Sequence, residues 1–525
     1  MHVSFYGATR EVTGSFHTVV TDHDNILLDC GLFQGSRKET EAKNMVFPVD
    51  PEILTNMVLS HAHIDHSGRI PMLTRSAFSG HVFCTRPTAH ACEYLLLDSA
   101  KIQEGDASYL NYKTAKSFLA KVKTGGGKTE ITETDQREIK TLLKSGDHNL
   151  RREVVEKLLR ENNLEIVTPL YTTEEAEDSL TYFQGIPLGQ TITLGKDLTC
   201  TFYGAGHILG SAMSVIQYKT AGKVKTILYS GDLGRFNKPI IKNPTLDFAE
   251  EHRHIDLMIM ESTYGSRIHE PVVDMKPMLK KVLSETFNRG GSVIIPAFAY
   301  GRTQELLYFI HELYLAKEIP PMPVWVDSPL AIKITNVFGE HPETYDEGTH
   351  KTFLRNGLNP FDFEQLKFVG SVEESMALNR ETKSHIVLAG SGMCEGGRVL
   401  HHLRHKIHDE RNTVLIVGYM GQNTFGRRLQ EIGEKYAANG RKGEAPMVRF
   451  YNKEYPLKAR VVTLGGFSAH GDREEMTRVL KESNLTIKKI ALVHGEEEQS
   501  LGFADYLREE GFNVVVPFHG QSEFV

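Results

Sequence analysis

The sequence contains little that would build a disulfide scaffold or a membrane anchor. Its five cysteines are scattered without a CxxC pair and no secretory leader is recognisable, so we expect a reducing, cytoplasmic location. No uncharged apolar run approaches the roughly 18 to 20 residues that cross a bilayer, which predicts no membrane span. Positive charge is not in excess either, because 60 Lys and Arg are set against 67 Asp and Glu, a net charge of -7. Any polyanion must therefore be bound locally rather than by the field of the whole chain.

The length and rhythm of the chain indicate several domains. A chain of 525 residues is about three times the usual size of a single domain. Short apolar stretches separated by turn residues, such as 3–6 and 26–28, predict strands near the start. Between about residues 263 and 452, buried-type strands such as 293–296 lead into helical stretches such as 302–315. This alternation predicts a separate α/β domain with a parallel sheet.

The stretch from about 112 to 168 differs in composition from its surroundings and is rich in Lys, Glu and Arg. The triplet Gly125, Gly126 and Gly127 predicts a flexible link, and the charged pattern after it predicts a helical hairpin. We interpret this stretch as a solvated insertion.

The pattern with the clearest chemical meaning is His61-x-His63-x-Asp65-His66, which follows an apolar strand at 57–59 and precedes a helix. Four ligand-type side chains in six positions are too specific a pattern for surface histidines on a loop. Residues two apart on a loop that leaves a strand point the same way, so His61 and His63 can hold one metal ion. Asp65 and His66 can then face a second ion.

Four residues far along the chain could complete such a site. Asp232 ends the strand at 227–229 with an acid in a tight turn, and a carboxylate is the usual bridge between two metal ions. His207 lies in a turn bracketed by glycines, where the backbone can approach an ion, although a simple turn histidine is an equal alternative. His470 and His494 each follow a strand near the end of the chain. Residues at these strand ends would together form a layer of metal ligands along one edge of a sheet.

Combined with Asp29 and Glu261, these residues make the chain resemble the metallo-β-lactamase superfamily, specifically its β-CASP nucleases. The resemblance covers nearly the whole chain apart from the charged insertion. It implies an α/β fold, in which an inserted β-CASP α/β domain interrupts a metallo-β-lactamase αββα sandwich. The implied domains are the first part of the metallo-β-lactamase domain at 1–262, the β-CASP domain at 263–455 and the C-terminal part of the metallo-β-lactamase domain at 456–525.

The resemblance also implies a cofactor of two Zn²⁺ per chain. One zinc would be held by His61, His63 and His207, and the other by Asp65, His66 and His494. Asp232 would bridge the two ions. Asp29 would orient the ligand loop from behind. The implied catalytic residues are Asp65, His470 and Glu261, with Glu261 orienting His470.

RNA is the substrate that the resemblance favours, because a histidine at the position of His494 is associated with the RNA-acting members. The resemblance also implies that three loops of the β-CASP domain contact phosphate. Glycine-rich turns at the start of helices expose backbone N–H groups that can bind phosphate. The residues concerned are Tyr300, Arg302, Ser328, Ser391, Gly392 and Met393.

These inferences predict a zinc-dependent ribonuclease that hydrolyses phosphodiester bonds of single-stranded RNA, internally, from the 5′ end or both. His470 would protonate the departing 3′ oxygen, leaving a 5′-phosphate and a 3′-hydroxyl. A homodimer is compatible with the resemblance. Two alternatives stay open at this point: a small-molecule hydrolase acting on a thioester or lactam, and a catalytically silent scaffold.

Overall fold

The computed structural model describes residues 1–35, 37–124, 132–145, 149–220 and 222–525 of the chain. Within these residues the strands form two seven-stranded sheets, one six-stranded sheet and two short strand pairs. The predicted glycine link at Gly125 to Gly127 lies outside the described residues.

The two seven-stranded sheets are both mixed. The first has the strand order Ser522–Phe524, His2–Phe5, His17–Val20, Asn25–Leu28, Asn56–Val58, Val82–Thr85, Phe183–Ile186. The second has the order Val514–Val515, Ile490–Val493, Leu257–Glu261, Lys223–Tyr229, Ala212–Thr220, Leu198–Gly204, Thr191–Gly195. Strands from the end of the chain therefore join both sheets, so the two ends of the sequence belong to one folded unit.

The α-helices of the described chain cover both outer faces of these sheets and the third sheet. Their bounds are Arg37–Met45, Ile64–Ser67, Ile70–Arg75, Arg86–Lys123, Glu133–Leu143, Arg152–Glu161, Thr173–Ser179, Met275–Asn288, Arg302–Leu315, Pro329–Glu340, Glu347–Thr352, Val372–Asn379, Val399–Lys406, Phe425–Ala438, Arg473–Glu482 and Glu497–Glu509. None of these helices is both long and apolar enough to span a bilayer.

The seven-stranded sheets pack face to face because their strands bury alternate residues on opposite sides. Ile26 and Leu28 enter the apolar core between the sheets, whereas Leu27 faces the helices outside. In the second sheet Ile227 faces the shared core and Leu228 faces the outer helices Arg473–Glu482 and Glu497–Glu509. The order of layers is thus helix, sheet, sheet, helix, and the predicted αββα sandwich is confirmed.

The six-stranded sheet is parallel and forms the core of the inserted α/β unit. Its order is Leu366–Phe368, Val324–Asp327, Ile386–Ala389, Val293–Pro296, Thr413–Ile416, Arg460–Thr463. The last of these strands lies beyond residue 455, where the β-CASP domain was predicted to end. The predicted domain limits stay a prediction, although this strand pairs with the inserted sheet. A short hairpin, Met447–Phe450 with Lys453–Pro456, lies beside the sheet.

The charged stretch begins differently from the prediction. Helix Arg86–Lys123 is 38 residues long and continues through Tyr112, where a change of structure was expected. Thr85 caps its start, and no proline follows Pro87 within it, so nothing in the sequence stops the helix. The predicted helical hairpin is present as Glu133–Leu143 and Arg152–Glu161, which pack on the end of the long helix through a small apolar core of their own.

Candidate metal centre

Close backbone contacts shape the loop that carries the His-x-His-x-Asp-His motif. Strand Asn56–Val58 ends just before the motif, and helix Ile64–Ser67 begins inside it. A Cβ added to Gly31 would lie 1.6 Å from the carbonyl oxygen of Asp65, so only glycine fits there. This contact holds Asp65 beside the end of strand Asn25–Leu28.

His61, His63, His207 and Asp232 form one group of ligand atoms that lie within 4.8 Å of one another. His61 Nε2 lies 3.1 Å from His63 Nδ1, and His207 Nε2 lies 3.3 Å from the same nitrogen. Three ring nitrogens and a carboxylate that converge on one point match the tetrahedral nitrogen and oxygen coordination that zinc prefers.

Asp65, His66 and His494 form a second group within the same limit. His66 Nε2 lies 3.1 Å from His494 Nε2, which is 3.5 Å from Asp65 Oδ2. The structure therefore brings together residues that are more than 400 positions apart in the chain, and the two groups are the ones that the sequence predicted. Their assignment as zinc ligands stays a prediction.

Asp232 lies between the two groups and turns one oxygen toward each. Oδ2 lies 3.4 Å from His61 Nε2 and 3.5 Å from His207 Nε2. Oδ1 lies 3.3 Å from His66 Nε2 and 3.4 Å from His494 Nδ1. In the part of the chain that the structure describes, this buried Oδ1 has no hydrogen-bond partner. A buried carboxylate oxygen without a partner costs free energy, which a bound cation would recover.

The protonation states of the first group suit a metal. Burial lowers the pKa of His61 and of His207 well below the usual value and lowers the pKa of His63 to about 4. Burial opposes ionisation of Asp232, but the charges of His494 and His66 outweigh it and lower the pKa of Asp232 well below its usual value. Neutral rings and an ionised carboxylate are the forms in which these side chains bind zinc.

Asp29 lies directly behind the ligand loop, where the sequence placed it. Its buried carboxylate accepts hydrogen bonds from the backbone N–H of Ser60 at 2.7 Å and from the hydroxyl of Tyr229 at 2.5 Å. Its Oδ2 is also 2.6 Å from His66 Nδ1. With Nδ1 donating to Asp29, the other ring nitrogen of His66 faces the second group. Burial opposes protonation of His66, but Asp232 and Asp29 raise its pKa well above the usual value, and a cation at Nε2 would replace that proton.

His470 and Glu261 lie at the edge of the same site. His470 Nδ1 lies 3.1 and 3.2 Å from the two Glu261 oxygens and 3.8 Å from Asp232 Oδ2. Glu261 is fully buried and also accepts the backbone N–H of Leu233, which fixes its orientation. Burial opposes protonation of His470, but Glu261 and Asp232 outweigh it and raise the pKa of His470 to about 9. The Glu261 carboxylate therefore favours the protonated form of His470.

Known proteins resemble this chain over its whole length. A family model described as "Beta-Casp domain" matches residues 303–429, and one described as "Zn-dependent metallo-hydrolase RNA specificity domain" matches residues 454–517. The chain is 32% identical over 521 residues to "Ribonuclease TTHA0252" of Thermus thermophilus, covering 99% of both chains. The chain belongs to the metallo-β-lactamase family of β-CASP RNA nucleases.

Two relatives from Methanocaldococcus jannaschii support this membership. An "RNase J-like protein" is 27% identical over 96% of this chain and 94% of its own length. The "Transcription termination factor FttA" is 28% identical over 97% of this chain and 69% of its own length. Membership of the β-CASP family confirms the predicted fold class and the prediction of a metal-dependent hydrolase.

Of the β-CASP loops predicted to contact phosphate, the one that carries Tyr300 lies close to the metal-ligand groups. The ring of Tyr300 is 5.7 Å from that of His63, and its buried hydroxyl donates to the carbonyl of Leu209. The guanidinium of Arg302 is buried and donates to Glu305. Contact of Tyr300 and Arg302 with RNA therefore stays a prediction. Both side chains would have to reach the RNA while keeping these hydrogen bonds.

The other two β-CASP loops adjoin each other. Ser328 caps helix Pro329–Glu340, and its hydroxyl accepts the N–H of Ala331. The hydroxyl of Ser391 accepts backbone N–H groups of the turn that follows it. Gly392 is buried and Met393 is half-buried beside it. Phosphate binding by these residues also stays a prediction.

Sequence reasoning missed Thr263, which contacts His494. The Thr263 hydroxyl lies 3.1 Å from His494 Nδ1 and donates to the His494 carbonyl at 3.0 Å. Because its single proton is used there, the hydroxyl can only accept from Nδ1–H, which leaves Nε2 of His494 as the lone-pair nitrogen facing Asp65. Thr263 directly follows the Glu261-Ser262 pair of the motif, and that position was the signal that could have found it.

Proposed function

We propose that this chain is a zinc-dependent ribonuclease that hydrolyses phosphodiester bonds of single-stranded RNA. The observation that carries the proposal is Asp232, whose two oxygens face two separate groups of ligands with His470 beside them. The relatives named as ribonuclease and as RNase J-like protein support RNA as the substrate. Cleavage within the RNA, from its 5′ end, or both, would be compatible with this site.

Two zinc ions per chain fit the donor set. His61, His63 and His207 would hold one, Asp65, His66 and His494 the other, and Asp232 would serve both. When bound, zinc supplies Lewis acidity, which makes water a better nucleophile at neutral pH and neutralises charge on a phosphate. Asp29 and Thr263 would keep His66 and His494 in the tautomers that offer Nε2 to the metal.

Two side chains of the site would handle protons. His470 Nδ1 is engaged with Glu261, so Nε2 would donate its proton to the departing 3′ oxygen. The Asp65 carboxylate is 22% exposed and would accept a hydrogen bond from the attacking water. The expected products are a 5′-phosphate and a 3′-hydroxyl.

The surroundings of the site would hold the RNA. Tyr300 and Arg302, and the loops at Ser328 and at Ser391 to Met393, would line the approach from the β-CASP side and contact phosphates near the cleaved bond. A homodimer and a cytoplasmic location stay predictions.

Cleavage of end-labelled RNA tests the proposal. RNAs labelled at either end and carrying a 5′-hydroxyl, monophosphate or triphosphate would be incubated with the protein, with and without a zinc chelator. We expect chelator-sensitive cleavage, with fragment ladders that separate internal cleavage from stepwise removal at the 5′ end. Asp232→Asn provides the matched control, because it keeps the shape of the side chain and removes its charge. Absence of cleavage on every RNA together with turnover of a thioester would instead favour a small-molecule hydrolase, and inertness toward both would favour a silent scaffold.

A further inference from the structure

A groove on the β-CASP part lies outside the metal-ligand groups. It encloses about 520 Å³ between the first turns of helix Phe425–Ala438, the hairpin that begins at Met447, and residues 394 and 395. Leu429, Val448 and Phe450 form a buried apolar floor. Phe425 packs edge-on against Phe450 with ring centroids 4.9 Å apart.

The rim of this groove is aromatic and positively charged. Tyr451 is 60% exposed, and the guanidinium of Arg428 lies over the ring of Phe425 at 5.9 Å. Arg449, also exposed, donates through Nε to the Tyr451 carbonyl at 3.2 Å. No ion pair among the described residues includes either arginine. The carboxylate of Glu395 accepts the N–H of Phe425, which turns its charge toward the start of a helix.

A line of contacts connects the groove to the metal-ligand groups. Residues 394 and 395 of the groove continue the loop of Ser391 to Met393. Within that loop Gly392 packs on the ring of Phe298, since a Cβ there would lie 2.7 Å from it. Phe298 in turn lies two residues before Tyr300, whose ring is 5.7 Å from His63.

Exposed aromatic rings lie along this line. Phe298 is 40% exposed, and Gly418 lies against its ring. The next residue, Tyr419, is 56% exposed, and a Cβ added at Gly421 would lie 3.9 Å from its ring and 3.4 Å from the Met393 sulfur. With Tyr451 at the groove, three exposed rings therefore lie on or next to the residues that connect the groove with the metal-ligand groups.

We propose that this groove, with the exposed rings of Phe298, Tyr419 and Tyr451, binds the single-stranded RNA on one side of the cleaved bond. The inference rests on the proposed function. Single strands bind where bases stack on aromatic rings and arginines pair with phosphates, and the groove supplies both. The unpaired charge of Arg428 and Arg449 favours a polyanion over a neutral peptide or a second copy of the chain. Because the chain as a whole is negatively charged, its attraction for RNA depends on local cations such as these two arginines.

Substitution of Tyr451 tests the stacking. Binding of a fluorescein-labelled oligouridine of about 15 nucleotides, followed by fluorescence anisotropy in chelator so that no cleavage occurs, compares the full-length variants. Tyr451→Ala should bind about tenfold more weakly, which corresponds to the loss of one stacked base. Tyr451→Phe keeps the ring and should bind within about twofold of the wild type. Because Tyr451 is on the surface, neither change should affect folding.

Salt dependence tests the two arginines. Each phosphate contact on a single strand contributes a slope of about 0.7 to the fall of log K with log salt concentration, so replacing Arg428 and Arg449 by Gln should reduce the slope by about 1.4. Arg380→Gln removes an exposed arginine elsewhere on the β-CASP part and should leave the slope unchanged. An unchanged slope in the double variant would overturn the assignment of these arginines to phosphates.

Hydrolysis of bis(p-nitrophenyl) phosphate separates this inference from the proposed function. This small diester reaches the metal-ligand groups but not the groove, so its zinc-dependent turnover should be the same in Tyr451→Ala and the wild type. If the wild type does not turn it over, the proposed function is weakened, while the binding data still decide the groove. Wild-type RNA affinity in Tyr451→Ala and in the double arginine variant would overturn the proposal. The proposal would also be overturned if Tyr451→Ala lost a dimer that the wild type forms and kept its RNA affinity, because the groove would then hold a second copy of the chain.

Discussion

Replacing Glu261 by Gln should shift the pH dependence of cleavage, because Glu261 holds the proton on His470. The substitution keeps the size of the side chain and an acceptor oxygen for Leu233, and it removes the charge 3.1 Å from His470 Nδ1. Burial lowers the pKa of His470 and would then be opposed mainly by Asp232, which is more distant at 3.8 Å. The pKa of His470 should therefore fall from about 9 to 6.5 or below.

The size of the effect follows from the raised pKa. The difference between about 9 and the ordinary 6.5 corresponds to about 3 kcal/mol of preference for the protonated ring. The protonated, proton-donating form is present below the pKa and is lost as the pH rises through it. Near pH 8, about 90% of His470 is protonated at a pKa of 9 but only about 3% at 6.5, so cleavage by the variant should fall about 30-fold. Near pH 6 the loss should be small.

Initial rates of RNA cleavage across the pH range, with zinc content measured for each protein, provide the assay. His470→Ala is the control and should lose about 100- to 10,000-fold at pH values below about 9, where the wild-type ring carries its proton, which is the usual contribution of a positioned general acid. The reasoning would be refuted if Glu261→Gln retained zinc and its rate still declined only above about pH 9. A uniform loss at all pH values would indicate a structural role for Glu261 instead.

Three further perturbations test the metal-ligand groups and the residues that orient them. Thr263→Val should weaken zinc binding about 10- to 100-fold because Nδ1 of His494 loses its acceptor, whereas Thr263→Ser should retain wild-type affinity in chelator competition. Asp29→Asn should weaken zinc binding over a similar range, since His66 loses a charged acceptor, and equal affinity in the same titration would contradict this. Removal of zinc should abolish cleavage and lower the melting temperature, because a ligand that binds the folded form stabilises it; identical melting of loaded and metal-free protein would count against zinc binding.

The sequence predicted those features that leave a local pattern. Strand Val293–Pro296 and helix Arg302–Leu315 have the predicted bounds, because a short apolar run leads through a turn into a helical pattern. The ligand residues were identifiable because histidine and aspartate follow strand ends at the spacing that metal binding requires. A change of structure was expected near residue 112, where the composition becomes charged, yet helix-favouring polar residues carry helix Arg86–Lys123 to its end.

The remaining parts of the site depend on contacts between distant segments. Ser60 and Tyr229 donate to Asp29 from two different sheets, and hydroxyl residues have no spacing pattern that would reveal such contacts. The orientation of the Arg302 side chain could not be predicted from the sequence either, because Glu305 sets it. Glu305 also lies 3.3 Å from the buried ammonium group of Lys238. Lys238 comes from the metallo-β-lactamase part, so only the folded arrangement determines where the Arg302 charge is used.

The segment that carries His470 joins the two parts of the molecule. It follows the last strand of the six-stranded sheet and precedes a helix that covers the second seven-stranded sheet. Arg235, three residues after Asp232, donates to the carbonyl of Gly466 in this segment and to that of Glu270 in the segment that leads into the β-CASP part, so it fastens both connections. Because Arg235 is nearly fully buried, these bonds have few competitors from water. His470 is bridged to Gly234, and the Gly471 N–H donates to the Leu233 carbonyl at 2.8 Å, so the distance from His470 to Asp232 is set by the turn that follows Asp232 in the sandwich. The β-CASP part is attached through the same segment, so RNA bound on that part would be held in a fixed relation to the proton on His470.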